Sequence, residues 1–168
     1  MTLARQILQI SESVDGWEQV FIGQAETLVK NFRQERIARQ AEWFRETASQ
    51  GRPRGRHNIE AWCPLNLFAR MHNGSLQIYW QLVYRDRNTK SIGYKHLAKK
   101  RTGGYDLRRL LAHAKTFERD LVGEYEEDAQ LQRLRWAQFI RVRRDLVHMA
   151  DANANEGALM KRVRGMNQ

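Results

Sequence analysis

The dipeptide Asn73-Gly74 constrains the fold of this chain more than any other feature of its sequence. It lies between two runs of alternating residues, and an Asn-Gly pair in that setting predicts a two-residue β-hairpin, because both central residues of a type I′ turn need positive φ. The turn fixes the pairing of the two strands. His72 is expected opposite Ser75 and, further from the turn, Asn66 opposite Gln81.

This register sorts the side chains of both strands onto two faces, because opposed residues of an antiparallel pair share a face. The apolar face collects Leu65, Leu67, Ala69, Met71, Leu76, Ile78, Trp80 and Leu82. The polar face collects Asn66, Phe68, Arg70, Gln77, Tyr79 and Gln81. A merely solvated face more often carries Lys, Glu and Thr than this mixture of amides, an arginine and aromatic rings. The second face therefore predicts a surface that reads a ligand, and a nucleic acid fits it best.

A third strand is predicted after a longer loop. A five-residue loop that pairs Arg85 with Ser91 puts Ile92 and Tyr94 on the apolar face and Lys95 on the polar face. Because a three-stranded sheet needs a cover over its apolar face, the flanking segments are expected to supply one.

Two long stretches with helical periodicity flank the strands. Asp15 and Glu18 have the spacing of a capping box at the start of the first stretch, and Asp106 is a good N-cap for the second. We predict an α+β fold, in which a three-stranded antiparallel sheet is flanked by two long α-helices. The predicted single domain, residues 1–168, consists of a helix over 13–50, the sheet over 62–97, a helix over 106–150 and a flexible basic tail over 151–168.

The positive charge of the chain is clustered. Of the net charge of +10, a surplus of eight lies between Arg85 and Arg119, where eleven Lys and Arg face three acidic residues. Clustering of this kind is typical of proteins that bind a polyanion. The alternative is a generally basic protein with a solvated face. The basic loop 51–57 is equally well interpreted as a linker or as an arm that contacts a nucleic-acid backbone.

Several functional classes lack their signatures in this sequence. We find no apolar run of spanning length and no secretory signal, and the single Cys63 rules out an intramolecular disulfide, so a cytoplasmic protein without a membrane partner is expected. The histidines make no close pair of metal-ligand spacing, and no phosphate-binding glycine loop is present. We predict no enzyme activity, no catalytic residue, no metal and no cofactor.

Three interpretations of the basic sheet remain open. In the first, the sheet enters the major groove of double-stranded DNA and reads base edges. In the second, Phe68 and Tyr79 stack on unpaired bases of single-stranded DNA or RNA. In the third, the long helices form a scaffold and the basic patch contacts an acidic partner. We favour the first, with a homodimer formed through the long helices.

Residues are assigned to this interface by strand geometry and charge. The predicted base contacts are Asn66, Arg70, Gln77, Tyr79, Gln81 and Lys95. The predicted phosphate contacts are Arg85, Arg87, Lys90, Lys99, Lys100, Arg101 and Arg108.

The segment from residue 76 to about residue 135 resembles the MobI-type proteins of conjugative elements. The resemblance lies in the run Ile78 to Arg85, the basic run that ends at Lys99-Lys100-Arg101, and the sequence that follows it from Gly104 to Glu118. It implies a bacterial mobile-element protein that binds near the origin of transfer and helps a separate relaxase begin DNA processing. No catalytic signature accompanies it, in keeping with an accessory protein.

Overall fold

The computed structural model describes residues 3–49, 62–85 and 91–165. Its regular elements are α1 (Leu3–Ser49), β1 (Leu65–His72), β2 (Ser75–Arg85), β3 (Ile92–His96), α2 (Leu107–Leu111), a 3₁₀ turn (Thr116–Glu118) and α3 (Arg119–Gly165). The strands form an antiparallel sheet in the order β1-β2-β3. The predicted α+β fold, with a three-stranded antiparallel sheet and two long helices, is confirmed.

The hairpin has the predicted register. Asn73 and Gly74 have φ of 48° and 69°, the positive values that a type I′ turn requires. His72 pairs with Ser75, and the pairing continues without interruption to Leu65 opposite Leu82. The residues that the sequence pattern assigns to the two faces of the hairpin, 65–71 and 76–82, therefore lie on the predicted faces.

The register of β3 differs from the predicted one by one residue. Arg85 pairs with Ile92, and Tyr84 pairs with Gly93. A Cβ added at Gly93 would lie 2.5 Å from the Tyr84 ring, so the ring occupies the space that any other side chain would need. An aromatic ring over a strand glycine is a recurrent cross-strand pairing, and it explains why Gly93 takes this position.

A one-residue shift moves every side chain of a strand to the other face. The predicted placement of Ile92 and Tyr94 on the apolar face is therefore wrong, since both belong to the polar face and are more than half exposed. The predicted placement of Lys95 is also wrong. Lys95 pairs with Leu82 and lies on the apolar side, and His96 takes the place beside Gln81.

The core lies between the apolar face and the two long helices. Leu65, Leu67, Ile78 and Trp80 are fully buried. Helix α1 brings the buried ring of Phe32 edge-on to Trp80 at 5.1 Å between ring centroids. Helix α3 contributes further buried residues, namely Leu121, Val122, Tyr125 and Ala129. These contacts bury the apolar face of the sheet.

The helical segments have other bounds than the predicted ones. Helix α1 begins at Leu3 rather than near residue 13. A short helix α2, a turn and a 3₁₀ turn precede α3, where one helix from residue 106 was expected. The backbone amides of His113 and Ala114 donate hydrogen bonds to the carbonyl oxygens three residues earlier, and these bonds end α2. The Lys115 amide donates to Glu118 Oε1 (3.0 Å), where the next helical segment begins. Helix α3 then continues to Gly165, through the segment predicted as a tail.

The chain divides into two compact units. One comprises the start of α1 through Phe21 together with α3 from Arg135 onward, and the other comprises residues 22–134. The first unit is a helix pair, in which Phe21 contacts the rings of Trp136 and Phe139, and Arg143 pairs with Glu18 at 2.7 Å. The second unit contains the sheet and α2. Among the described helices, none combines the length and apolar character needed to cross a membrane.

Candidate nucleic-acid interface

The polar face of the sheet, called here the outer face, combines side chains from all three strands. It includes Asn66, Phe68, Arg70, Gln77, Tyr79, Gln81, Val83, Arg85, Ile92, Tyr94 and His96. Arg70, Arg85, Ile92, Tyr94 and His96 are exposed, and the others are partly buried. Five of the six predicted base-contact residues therefore share one accessible surface. Lys95 does not belong to it.

Amide and guanidinium groups occupy fixed positions on the outer face. Arg70 is directly opposite Gln77, and its Nε donates a hydrogen bond to Gln77 Oε1 at 3.3 Å. Asn66 is directly opposite Gln81. The hairpin thus presents two cross-strand polar pairs, four residues apart along β1. Such side chains can bond two atoms of one base edge at once.

An aromatic row crosses the same face. The rings of Phe68 and Tyr79 stack at 5.8 Å with an interplanar angle of 19°, and the His96 ring lies 4.8 Å from Tyr79. The guanidinium of Arg70 lies 5.2 Å from the Tyr79 ring centroid, and that of Arg33 from α1 lies 5.4 Å from Phe68. These cation–π contacts hold both arginines against the sheet.

Two residues of this surface were missed by sequence reasoning. His96 depends on the register of β3, and the signal that could have found it is Gly93, which favours a position opposite an aromatic residue. Arg33 belongs to a helix 35 residues before Phe68, and its approach to the sheet follows from the packing of α1. No local pattern in the sequence indicates that approach.

The predicted phosphate contacts lie around the sheet. Arg85 ends β2, and Lys99, Lys100 and Arg101 occupy the turn after β3, where the Lys100 amide donates to Gly104 O (2.7 Å) and the Gly103 amide to Lys100 O (3.0 Å). The side chains of all four cationic residues, and that of Arg108 on α2, are exposed. The remaining two predicted contacts, Arg87 and Lys90, and the basic loop 51–57 lie outside the described residues.

A buried carboxylate joins the sheet to α3. Glu126, only 4% exposed, accepts hydrogen bonds from Trp80 Nε1 (2.7 Å) and from the Tyr105 amide (2.9 Å), and it pairs with Arg133 at 2.5 Å. The Tyr105 hydroxyl in turn accepts from the Trp80 amide at 3.1 Å. This arrangement ties β2 to the turn that carries the basic run.

Burial shifts the titration of the groups around Glu126. Burial lowers the pKa of the Arg133 guanidinium and raises the pKa of the Tyr105 hydroxyl. The pKa of Lys99 is also lowered, first by its partial burial and then by the charge of Arg133. Over the described residues, no group of three or more His, Cys, Asp or Glu side chains is arranged to hold a metal ion.

Comparison with known protein families decides what kind of protein this is. The model of the MobI family, described as MobI protein, matches residues 21–147, which is most of the chain. The chain belongs to the MobI family. No curated protein and no solved structure gives a match.

The MobI match spans the outer face, the basic turn and α2, together with most of α1 and much of α3. Membership relates the chain to conjugative mobilisation, and MobI is an accessory mobilisation family rather than a known enzyme family. The resemblance of residues 76–135 to this family is thereby confirmed.

Proposed function

We propose that this MobI protein is a sequence-specific double-stranded DNA-binding protein that acts near the origin of transfer and assists a relaxase. The observation that carries the proposal is the outer face, where Asn66, Arg70, Gln77 and Gln81 stand in one fixed register on an accessible surface. Arginine can donate two hydrogen bonds to O6 and N7 of guanine, and an amide side chain can form two hydrogen bonds with N6 and N7 of adenine. These are the residue types that read base edges in a major groove.

The spacing of the two cross-strand polar pairs along the strands matches the rise between stacked base pairs. Alternate residues of a strand are about 6.7 Å apart, close to two base-pair steps of about 3.4 Å. The Arg70–Gln77 pair and the Asn66–Gln81 pair are four residues apart along β1, and would reach bases about four steps apart. The aromatic rings beneath Arg70 and Arg33 limit the conformations of both guanidiniums, which lowers the entropic cost of binding.

Cationic groups stand at both ends of the β2–β3 pair. Trp80 O accepts a hydrogen bond from the Leu97 amide, just before the basic turn, and Arg85 lies five residues further along β2. Five residues span roughly 16 Å, which is close to five base-pair steps of about 3.4 Å each. Arg85 and the basic turn are therefore far enough apart to contact phosphates at two separate positions along the duplex.

A second candidate function is the binding of single-stranded nucleic acid. The aromatic row of Phe68, Tyr79 and His96 favours it, because a row of rings across an accessible sheet can stack on successive unpaired bases. Tyr94, which is 59% exposed on the same face, would extend the row. We rank it second because arginines already lie over the rings of Phe68 and Tyr79.

Fluorescence anisotropy tests the proposal. A labelled 30-base-pair duplex from the origin of transfer is titrated with protein at two salt concentrations, with random duplex and single-stranded DNA as competitors. We expect preference for the labelled duplex, and a log–log salt slope near −5 for about six phosphate contacts. Preference for the single strand would move the function to the aromatic row. Absence of DNA binding would reject both assignments.

The double variant Arg70→Ala with Gln81→Ala tests base reading. Loss of the two side chains should abolish preference for the specific duplex, worth about 1–3 kcal/mol for each good base contact, while weak binding to random duplex persists. The matched control is Arg135→Ala with Gln138→Ala, which removes the same residue types from exposed positions of α3. An equal loss of affinity for specific and random duplexes would count against the assignment.

A further inference from the structure

A cleft next to the sheet shares His96, Lys99 and Lys100 with the proposed DNA interface, but its other lining residues have no part in that interface. It has a volume of about 560 Å³ and lies between the end of β3, the basic turn and α2. Small-molecule sites typically measure about 300–1,000 Å³, so the cleft has the size of a ligand site. All of its lining residues belong to the unit that contains the sheet.

The lining of the cleft is strongly basic. Four cationic side chains, from Lys95, Lys99, Lys100 and Arg109, line it against the single carboxylate of Asp106. That carboxylate is engaged as the N-cap of α2, where it accepts a hydrogen bond from the Arg109 amide at 3.2 Å. This hydrogen bond lowers the pKa of Asp106, so the carboxylate stays charged and occupied with the helix. The cleft retains a surplus of positive charge suited to a phosphate.

The cleft also has apolar and aromatic walls. Leu97, Ala98, Leu110 and Tyr105 line it, together with His96 and His113. A site for phosphate alone needs only charge and hydrogen-bond donors. Apolar residues among the cationic ones fit a ligand that joins a phosphate to a flat, apolar ring system.

The walls are held by the buried core. Tyr105 is fixed through its hydroxyl to Trp80 and through its amide to Glu126, and Leu110 is 1% exposed. The Lys99 ammonium lies 6.0 Å from the Tyr105 ring. A ligand would therefore meet a preorganised cleft, which reduces the entropy lost on binding.

We propose that this cleft binds a nucleoside phosphate, with the phosphate at Lys95, Lys100 and Arg109 and the base against Leu97 and Ala98. The same chemistry is offered by a free mononucleotide and by a terminal nucleotide of a DNA strand. Lys100 is shared with the assigned phosphate contacts of the duplex. The proposal is still separable from duplex reading by the outer face, because Arg109 is not an assigned contact and Lys95 lies on the opposite side of the sheet.

Isothermal titration calorimetry on the full chain tests the cleft, with dTMP, thymidine and two oligonucleotides, 5′-phosphorylated and unphosphorylated dT10. We expect dTMP or the phosphorylated oligonucleotide to bind, and thymidine to bind at least about tenfold more weakly, because the charged phosphate supplies the strongest contacts. Binding of dTMP identifies a site for free nucleotides. Binding of phosphorylated dT10 alone identifies a site for a strand end.

Two charge-reversal variants separate the cleft from general electrostatics. Lys95→Glu with Arg109→Glu should weaken binding of the phosphorylated ligand about tenfold or more. The matched control is Lys30→Glu with Arg119→Glu, which makes the same change in charge at two exposed residues of the same unit that neither line the cleft nor belong to the assigned DNA contacts. It should change the affinity by less than about threefold. Circular dichroism checks that both variants fold.

Equal weakening by both variants would overturn the proposal, and so would a wild-type protein that binds neither phosphorylated ligand. Fluorescence anisotropy with the specific duplex distinguishes failure of the cleft proposal from failure of the proposed DNA-binding function. If the protein binds no ligand in the cleft but still prefers the specific duplex, the assignment of the outer face stands. Conversely, the variant Arg70→Ala with Gln81→Ala should retain nucleotide binding in the cleft.

Discussion

Glu126 is the residue on which the supporting structure of the sheet depends most. Its carboxylate accepts hydrogen bonds from the Trp80 indole, the Tyr105 amide and the Arg133 guanidinium, and the residue is only 4% exposed. A buried carboxylate is tolerated only when it is paired and hydrogen-bonded. Glu126 meets both conditions, and its neighbours depend on its charge.

Replacing Glu126 by Gln should therefore lower the free energy of unfolding by about 3–5 kcal/mol, because it leaves Arg133 buried without its counter-charge and turns one acceptor oxygen into a donor. Urea unfolding measures the change. Glu127→Gln is the matched control, since Glu127 is exposed on the next position of the same helix. We expect the control to differ from wild type by less than about 0.5 kcal/mol. Equal stability of both variants would refute the role of Glu126.

Cys63 should be an unreactive thiol in the folded protein. Burial, followed by the nearby charge of Glu118, raises the pKa of the thiol to about 12 from its ordinary value of 9.0. A raised pKa favours the protonated form, so at pH 8 the reactive thiolate is scarcer than in the unfolded chain. We predict slow modification by a disulfide reagent at pH 8, and fast modification in guanidinium chloride at the same pH. Fast modification of the folded protein would contradict this assignment.

At the scale of elements, the hairpin is determined locally, whereas its neighbours depend on distant contacts. Helix α1 approaches the start of β1 through Arg36, whose Nη1 donates to Leu65 O at 2.6 Å. Helix α3 reaches the start of β2 through Arg133, whose Nη1 donates to Ile78 O at 3.3 Å. Both helices thus bond to the backbone of the strands that carry the outer face.

Gly74→Val tests the contribution of the turn. A β-branched residue is strained at φ of 69°, so the variant should lose about 1–2 kcal/mol of stability. Asn tolerates positive φ, and Gly74→Asn should recover most of that loss. No side-chain contact explains the difference, since a Cβ at Gly74 would meet no heavy atom within 4 Å among the described residues. Thermal unfolding of the two variants measures the difference in stability. Equal stability of Gly74→Val and Gly74→Asn would exclude backbone strain as the cause of the loss.

At the scale of the whole molecule, both units expose large apolar side chains, and the basic cluster belongs to the unit with the sheet. The helix pair exposes Trp17 (57%), Val20 (46%), Val142 (54%) and Val147 (50%). Apolar side chains exposed along a helix pair are typical of an association surface. We propose that the long helices form a homodimer through this pair.

Sedimentation velocity over a range of concentrations measures that association. We expect a monomer–dimer equilibrium in the wild type, weakened about tenfold or more by Trp17→Ser with Val142→Ser, because a buried interface tryptophan contributes about 2 kcal/mol or more. The control is Leu131→Ser with Leu134→Ser, which removes two exposed apolar side chains from the other unit. A wild type that stays monomeric at every concentration, or equal weakening by both variants, would reject dimerisation through the helix pair.

The sequence by itself determined the α+β class, the Asn73-Gly74 turn and the full register of β1 with β2. Those features follow from the two-residue period of a strand and the φ requirement of one turn, which are local properties. Only the tertiary structure decided the register of β3, the break between α2 and α3, the partners of Glu126 and the cleft. Each of these depends on contacts between residues far apart in the chain, such as Trp80 with Glu126, and local patterns do not specify which distant groups will meet.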